Sequence, residues 1–279
     1  MKFTLFMLSL PLLFVTACLS NNDSKTSESS SSSSIHSINT SSSSLASQSS
    51  QLLSSAKILP TFGTVIDSEN GNIYKTVVIG KQTWMAENID VGNFVFDDYY
   101  ETYQDFALDL DEKFCPYNFK EDCKIFGAFY QWHSAVKLSN RCSFIPCPEQ
   151  ISSPHKGICP DQYHIPSHAD WDTLITYLGS TSTKMRGPMP LNSNHNPDIT
   201  NKWFDSTDVN ANSSGFGAIK LRYRINYGGL TQDSTTAYFL TSLEISGEKA
   251  EYVKVSYNQK TSFVTMSKLT GASVRCVKD

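Results

Sequence analysis

"GICPDQYHIPSHADWDTLITYLGS", Gly157 to Ser180, joins a cysteine, a Pro-Asp turn and a helix with no slack between them. Ser167 has the side chain of an N-cap, and Asp170 three residues on completes an approximate capping box. Trp171, Leu174, Ile175 and Leu178 fall at i, i+3, i+4 and i+7, the stripe of a helix with one buried face. Gly179 ends that helix, and Pro166 sets its direction. Cys159 therefore lies where a disulfide would fasten the start of a helix to the rest of the domain.

On the N-terminal side, "TFGTVIDSENGNIYKTVVIGKQTWMAENI" reads as a β-meander. Thr64–Ile66 and Tyr74–Ile79 are strands, the latter β-branched and aromatic. Asp67–Asn72 is dense in turn formers. Gln82–Met85 pairs back after a Gly80-Lys81 turn and carries Trp84 into the core. Phe126 to Leu138 spaces Phe126, Phe129, Tyr130 and Val136 as a second helix, with His133 packed on its buried face. Asp97 to Phe114 is acidic and tyrosine-rich and reads as an inserted surface loop. On the C-terminal side a glycine- and asparagine-rich loop region precedes four strands, Ala237–Leu243, Tyr252–Tyr257, Ser262–Met266 and Ser273–Val277. The class is α+β: two helices, a long loop region and antiparallel strands.

Seven cysteines occur. With Cys18 set aside, Cys115, Cys123, Cys142, Cys147, Cys159 and Cys276 remain, an even number that suits three disulfides in an exported domain. Fifteen pairings are formally possible. Spacing favours Cys115–Cys123 and Cys142–Cys147 as local clips, with Cys159 then joined to Cys276. That strap would bring the first and last strands together. Neither short pair has the C-x₂-C spacing or paired histidines of a zinc module, so no metal is expected. Parity leaves no thiol for catalysis.

The chain opens "MKFTLFMLSLPLLFVTACLS". Lys2 and the apolar run Phe3–Val15, too short to span a bilayer as an anchor, read as a secretory signal over residues 1–17. Val15-Thr16-Ala17-Cys18 resembles the lipobox of bacterial lipoproteins. That resemblance implies acylation (palmitate among the chains) at Cys18, and Leu19 after it implies the outer membrane, facing the periplasm or the cell surface. Residues 18–56 are rich in serine and cannot bury enough apolar surface to order. They read as a tether reaching roughly 30–37 Å. Residues 57–279 make one folded domain.

The 279 residues carry 23 Lys+Arg and 27 Asp+Glu, a formal net charge of −4 with no basic cluster. Nucleic acid is therefore not an expected partner. The Asp97–Phe114 carboxylates lack the glycine and alternation of a calcium loop. No G-x-S-x-G elbow or H-E-x-x-H helix is present. Asp170 and Asp172 flank Trp171 and point to different sides of the helix, so they do not form a catalytic pair. No cofactor is expected.

"NGNIYKTVVIGKQTWMAENI", "CKIFGAFYQWHSAV", "CPDQYHIPSHADWDTL" and the final "SVRCVKD", in that order, resemble the Fibrobacter succinogenes major paralogous domain. The resemblance covers about Thr64 to Asp279. It departs at Gln162-Tyr163-His164, where the family usually has Gly-Trp-His, and at Tyr238–Ser242. It implies an exported protein with a fold distantly like C-type-lectin-like and formylglycine-generating-enzyme-like domains, and it supports a Cys159–Cys276 pairing. The expected function is a cell-surface binding or adhesion module for a polysaccharide or a surface protein. Tyr99, Tyr100, Tyr103, Trp203 and Tyr227 are candidates to stack on sugar faces, against the rival expectation that such aromatics fill the core. The Glu-Pro-Asn and Trp-Asn-Asp motifs of calcium-dependent lectins are absent. The alternatives are a purely structural envelope protein and, with less support, an enzyme of the formylglycine-generating type; no catalysis is expected.

Overall fold

In a computed structural model the chain divides into two units, Met1–Ala56 and Lys57–Asp279. The residues described are 59–96, 107–190, 203–221, 223–225, 229 and 235–279, all in the second unit. Cys18 and the serine-rich segment lie outside them.

The meander forms as its residues dictate. β1 (Thr61–Ile66) pairs antiparallel with β2 (Ile73–Ile79) in one continuous register, Thr61 opposite Val78 through Ile66 opposite Ile73. β1 starts three residues earlier than expected. Its turn is tied by Asp67, whose carboxylate accepts the Glu69 N–H at 3.0 Å and the Asn70 amide at 2.6 Å. β3 (Gln82–Met85) returns through Gly80, whose φ of 62° a two-residue hairpin turn requires. Trp84 and Met85 at its end are fully buried.

The short strands β4 (Asn93–Phe94) and β5 (Glu112–Lys113) pair parallel. β5 and the fully buried Leu108 correct the expectation of a surface loop over 97–114 in its described second half. Three α-helices are present among the described residues, not two: α1 (Lys120–Phe126), the single turn α2 (Trp132–Ala135) and α3 (His168–Leu178), beside three short 3-10 turns. The helix expected over 126–138 shrinks to α2. Gly127, at φ 77°, ends α1 where a side chain would collide with Asn88. Phe129 and Tyr130 then run extended and bridge Phe114 and Ala272. Their apolar spacing reflects burial from several sides; Trp132, His133, Ser134 and Ala135 are all buried, so α2 has no solvent face to give it a period.

α3 forms as read. Ser167 Oγ accepts the Asp170 N–H at 3.3 Å while the Asp170 carboxylate accepts the Ser167 N–H at 2.9 Å. Trp171, Leu174, Ile175 and Leu178 are buried, and Gly179 closes the helix in the left-handed region. β6 (Tyr163–His164) precedes it. At the C-terminal end, β7 (Thr236–Glu244), β8 (Lys249–Ser256) and β9 (Ser262–Ser267) make an antiparallel three-stranded sheet.

β10 (Val277–Lys278) inserts into the other sheet, whose order is β1-β2-β3-β10-β6 with all neighbours antiparallel. The last strand therefore lies between β3 and β6, not beside the first, which corrects that expectation. The reason is the strap: Cys159, four residues before β6, is joined to Cys276, one residue before β10. Cys115–Cys123 and Cys142–Cys147 form the two short clips. The architecture is thus mixed helix and sheet, mostly antiparallel, with three disulfides.

Two large apolar clusters fill the interior. One gathers all six disulfide cysteines with Trp132, Ile165 and Tyr252. The other packs Trp84 against Trp171 at 4.8 Å between centroids in a tilted arrangement, with Phe216 and Phe239 packed on Trp171 at 5.7 and 5.5 Å.

Candidate functional site

A cleft of about 450 Å³ opens where four stretches distant in sequence meet. The β2 side supplies Asn72 and Tyr74, and the segment after β3 supplies Glu87, Asn88 and Asp90. The end of α1 supplies Lys124 and Phe126, and the loop region supplies Pro188, Pro190 and Ile219. Arg275 lies at the base.

The base is rigid. Arg275 is 1% exposed and makes no ion pair among the described residues, although the nearby Glu87 carboxylate favours its charged form. Its Nε donates to Asn88 Oδ1 at 2.8 Å, and its terminal nitrogens donate to the carbonyls of Gly217, at 2.9 Å, and Phe216. The guanidinium faces the Phe216 ring 4.6 Å from its centroid. Burial lowers its pKa to about 9, which leaves it charged at neutral pH. Asn88 is fully engaged, because its amide also donates to Phe126 O at 2.9 Å. These groups hold the α1 end, the loop region and the last strand together.

The walls keep capacity in reserve. Glu87 spends one carboxylate oxygen on the Lys75 N–H at 2.8 Å, and Asp90 spends one on Lys113 Nζ at 2.6 Å. The second oxygen of each accepts no hydrogen bond among the described residues. Tyr74 OH donates to Asp90 O at 3.2 Å, and burial raises its pKa. Cys123 reaches the cleft with its sulfur held by Cys115.

A second cleft, of about 440 Å³, contains His155, His164, Asp170 and Asp279 with Ser152, Ser153, Ser167 and Ser242. His164 Nδ1 lies 2.7 Å from Asp279 Oδ1 and its Nε2 lies 3.2 Å from Asp170 Oδ2. Burial alone would lower the His164 pKa, but the hydrogen bonds to Asp170 and Asp279 outweigh it and the pKa is raised. Both ring nitrogens are used in holding the capping residue of α3 to the chain end. Among the described residues no group of three or more His, Cys, Asp or Glu side chains is placed to hold a metal ion.

The expected stacking aromatics fare differently. Tyr99, Tyr100, Tyr103 and Tyr227 lie outside the described residues. Trp203 is 1% exposed in the Trp84–Trp171 cluster, with its indole N–H shared between Gly187 O at 3.2 Å and Ala218 O at 3.3 Å. This corrects the expectation of a sugar-stacking platform there: a ring with 1% of its surface exposed offers no face to a sugar. His133 is packed, as expected: Nε2 meets Leu108 O at 2.8 Å, Nδ1 meets Ser143 Oγ at 2.7 Å, and burial lowers its pKa. Sequence reasoning missed Glu87, Asp90 and Arg275. The only signal was the presence of Glu87 in the block ending "WMAENI", which Asp90 directly follows, and of Arg275 beside Cys276 in "SVRCVKD".

No curated protein matches the chain, and no solved structure does. The model of the Fibrobacter succinogenes major domain matches residues 77–278, from β2 to the penultimate residue, and the chain belongs to that family.

Proposed function

We propose that the domain is a non-catalytic binding module, lectin-like in walling its site with a loop region, and that it takes a hydroxylated ligand such as an envelope or external glycan in the Arg275 cleft. A lipid on Cys18 would hold it on the outer membrane through the serine-rich tether. The observation that carries this reading is the pair of half-used carboxylates. Glu87 and Asp90 each offer a second oxygen beside the apolar Phe126, Pro188 and Ile219. Sugars present the same mixture, hydroxyl donors around apolar C–H faces, and a few placed polar groups on an apolar wall are what orient a small ligand. Pairing of all six domain cysteines in disulfides supports binding over formylglycine-type chemistry, which needs reactive thiols.

The test is a glycan array and a polysaccharide pull-down with residues 57–279, beside a Glu87→Ala/Asp90→Ala variant. Binding to a restricted set of glycans, weakened at least tenfold in the variant, is expected. Two lost charge-assisted hydrogen bonds, at about 1.5–3 kcal/mol each, correspond to at least that factor. Failure to bind any glycan would leave the purely structural envelope role. For the anchor, Cys18→Ala in the full chain releases the protein from membranes; variant that still sediments with the envelope would refute the lipid.

A further inference from the structure

The exposed edge of the five-stranded sheet is β1, since β6 at the other edge is only two residues long. Among the described residues no strand pairs with the outer side of β1. Sheet edges are normally guarded by charge, proline or a bulge. Thr61–Ile66 has no charged residue and no proline, and its register with β2 has no shift. Alternation places Phe62, Thr64 and Ile66 on one face. There Phe62 is 45% and Ile66 63% exposed, beside Ile73 at 64%.

We propose that β1 pairs antiparallel with β1 of a second copy of this chain, about a twofold axis through Thr64, and so joins two five-stranded sheets into one. The strand is complementary to itself in that register. A twofold axis perpendicular to the sheet keeps each face on its own side, so opposed residues must share a face. Centred on Thr64, the register sets Phe62 opposite Ile66 of the second copy, Ile66 opposite Phe62, and Thr64 opposite Thr64. Aromatic–β-branched and Thr–Thr pairs are among the favourable cross-strand pairs. No like charges meet. Both exposed apolar residues of the strand gain a partner, and an isologous contact closes at two copies.

Sedimentation of the full chain over a concentration series tests this. A monomer shifting to a dimer with concentration is expected. Hydrogen exchange should slow at the β1 amides in the dimer, which side-chain packing between sheet faces would not produce. Thr64→Lys sets two cations against each other at the axis and abolishes the dimer. Thr64 is exposed, and its new like-charge pairing with Lys75 across β1 and β2 lowers the monomer's Tm only slightly without unfolding it. Ile245→Lys, which removes a 49% exposed apolar residue in the connection between β7 and β8 of the other sheet, leaves the dimer intact. A monomer at every concentration, a larger oligomer, a dimer that survives Thr64→Lys, or unprotected β1 amides would each overturn the proposal.

Discussion

At the scale of single residues, the domain solves two charge problems in opposite ways. Lys268 is fully buried and meets Glu244, with Cys142 O at 2.7 Å and the Trp132 ring centroid at 4.6 Å completing its shell. Arg275 makes no ion pair among the described residues and, with Glu87 only nearby, relies on carbonyls, an amide and two rings. His164 carries a pH dependence. Its folded pKa is raised, so its stabilisation is complete below the unfolded value of about 6.5 and is lost as pH rises through the folded pKa. Burial would raise the Asp170 pKa, but the bonds from His164 and Ser167 lower it. Its contribution is therefore present above about pH 3.9 and lost as pH falls. Between those limits both are charged. Melting curves from pH 5 to 9 should show the wild type losing stability at the alkaline side more steeply than His164→Gln. Parallel curves would show that the histidine is not coupled to folding.

At the scale of elements, α3 combines every local signal, and its start also bears tertiary contacts. Asp170 O accepts the Gln82 side-chain amide at 3.0 Å, and Asp170 Oδ2 accepts from Ser167 and His164. Ser167→Ala removes the hydroxyl half of the reciprocal cap and should cost about 1 kcal/mol in urea unfolding. A loss below a few tenths would mean that the tertiary contacts alone hold the helix start. α2 shows the opposite balance. Four residues cannot form a stable helix alone, and here the surrounding core dictates the turn.

At the scale of the whole molecule, the Cys159–Cys276 strap closes 117 residues and ties β6 to β10. For a closure of that size the chain-entropy model assigns roughly 4.7 kcal/mol. The double variant Cys159→Ser/Cys276→Ser, which leaves no odd thiol to reshuffle, should lower Tm by roughly 10 °C. An unchanged calorimetric Tm would place the stability of this sheet in its strand pairing alone.

What the sequence determined by itself is what short-range rules govern. The capping box of α3, its apolar stripe, the Asp67–Asn72 turn and the β2–β3 hairpin follow from residues within a few positions of one another. The two clips followed from short spacing, and the strap was left by elimination and supported by the family resemblance. The tertiary structure alone decided the rest. Apolar spacing over 126–138 could not distinguish one buried helical face from an extended segment buried on all sides. Nothing local in Trp203 distinguished a ring open to solvent from one stacked in a core. The cleft draws on residues 72–90, 123–127, 188–219 and 275. Such a site exists only after the chain has closed on itself, because a concave surface belongs to the packing of distant segments and to none of them singly.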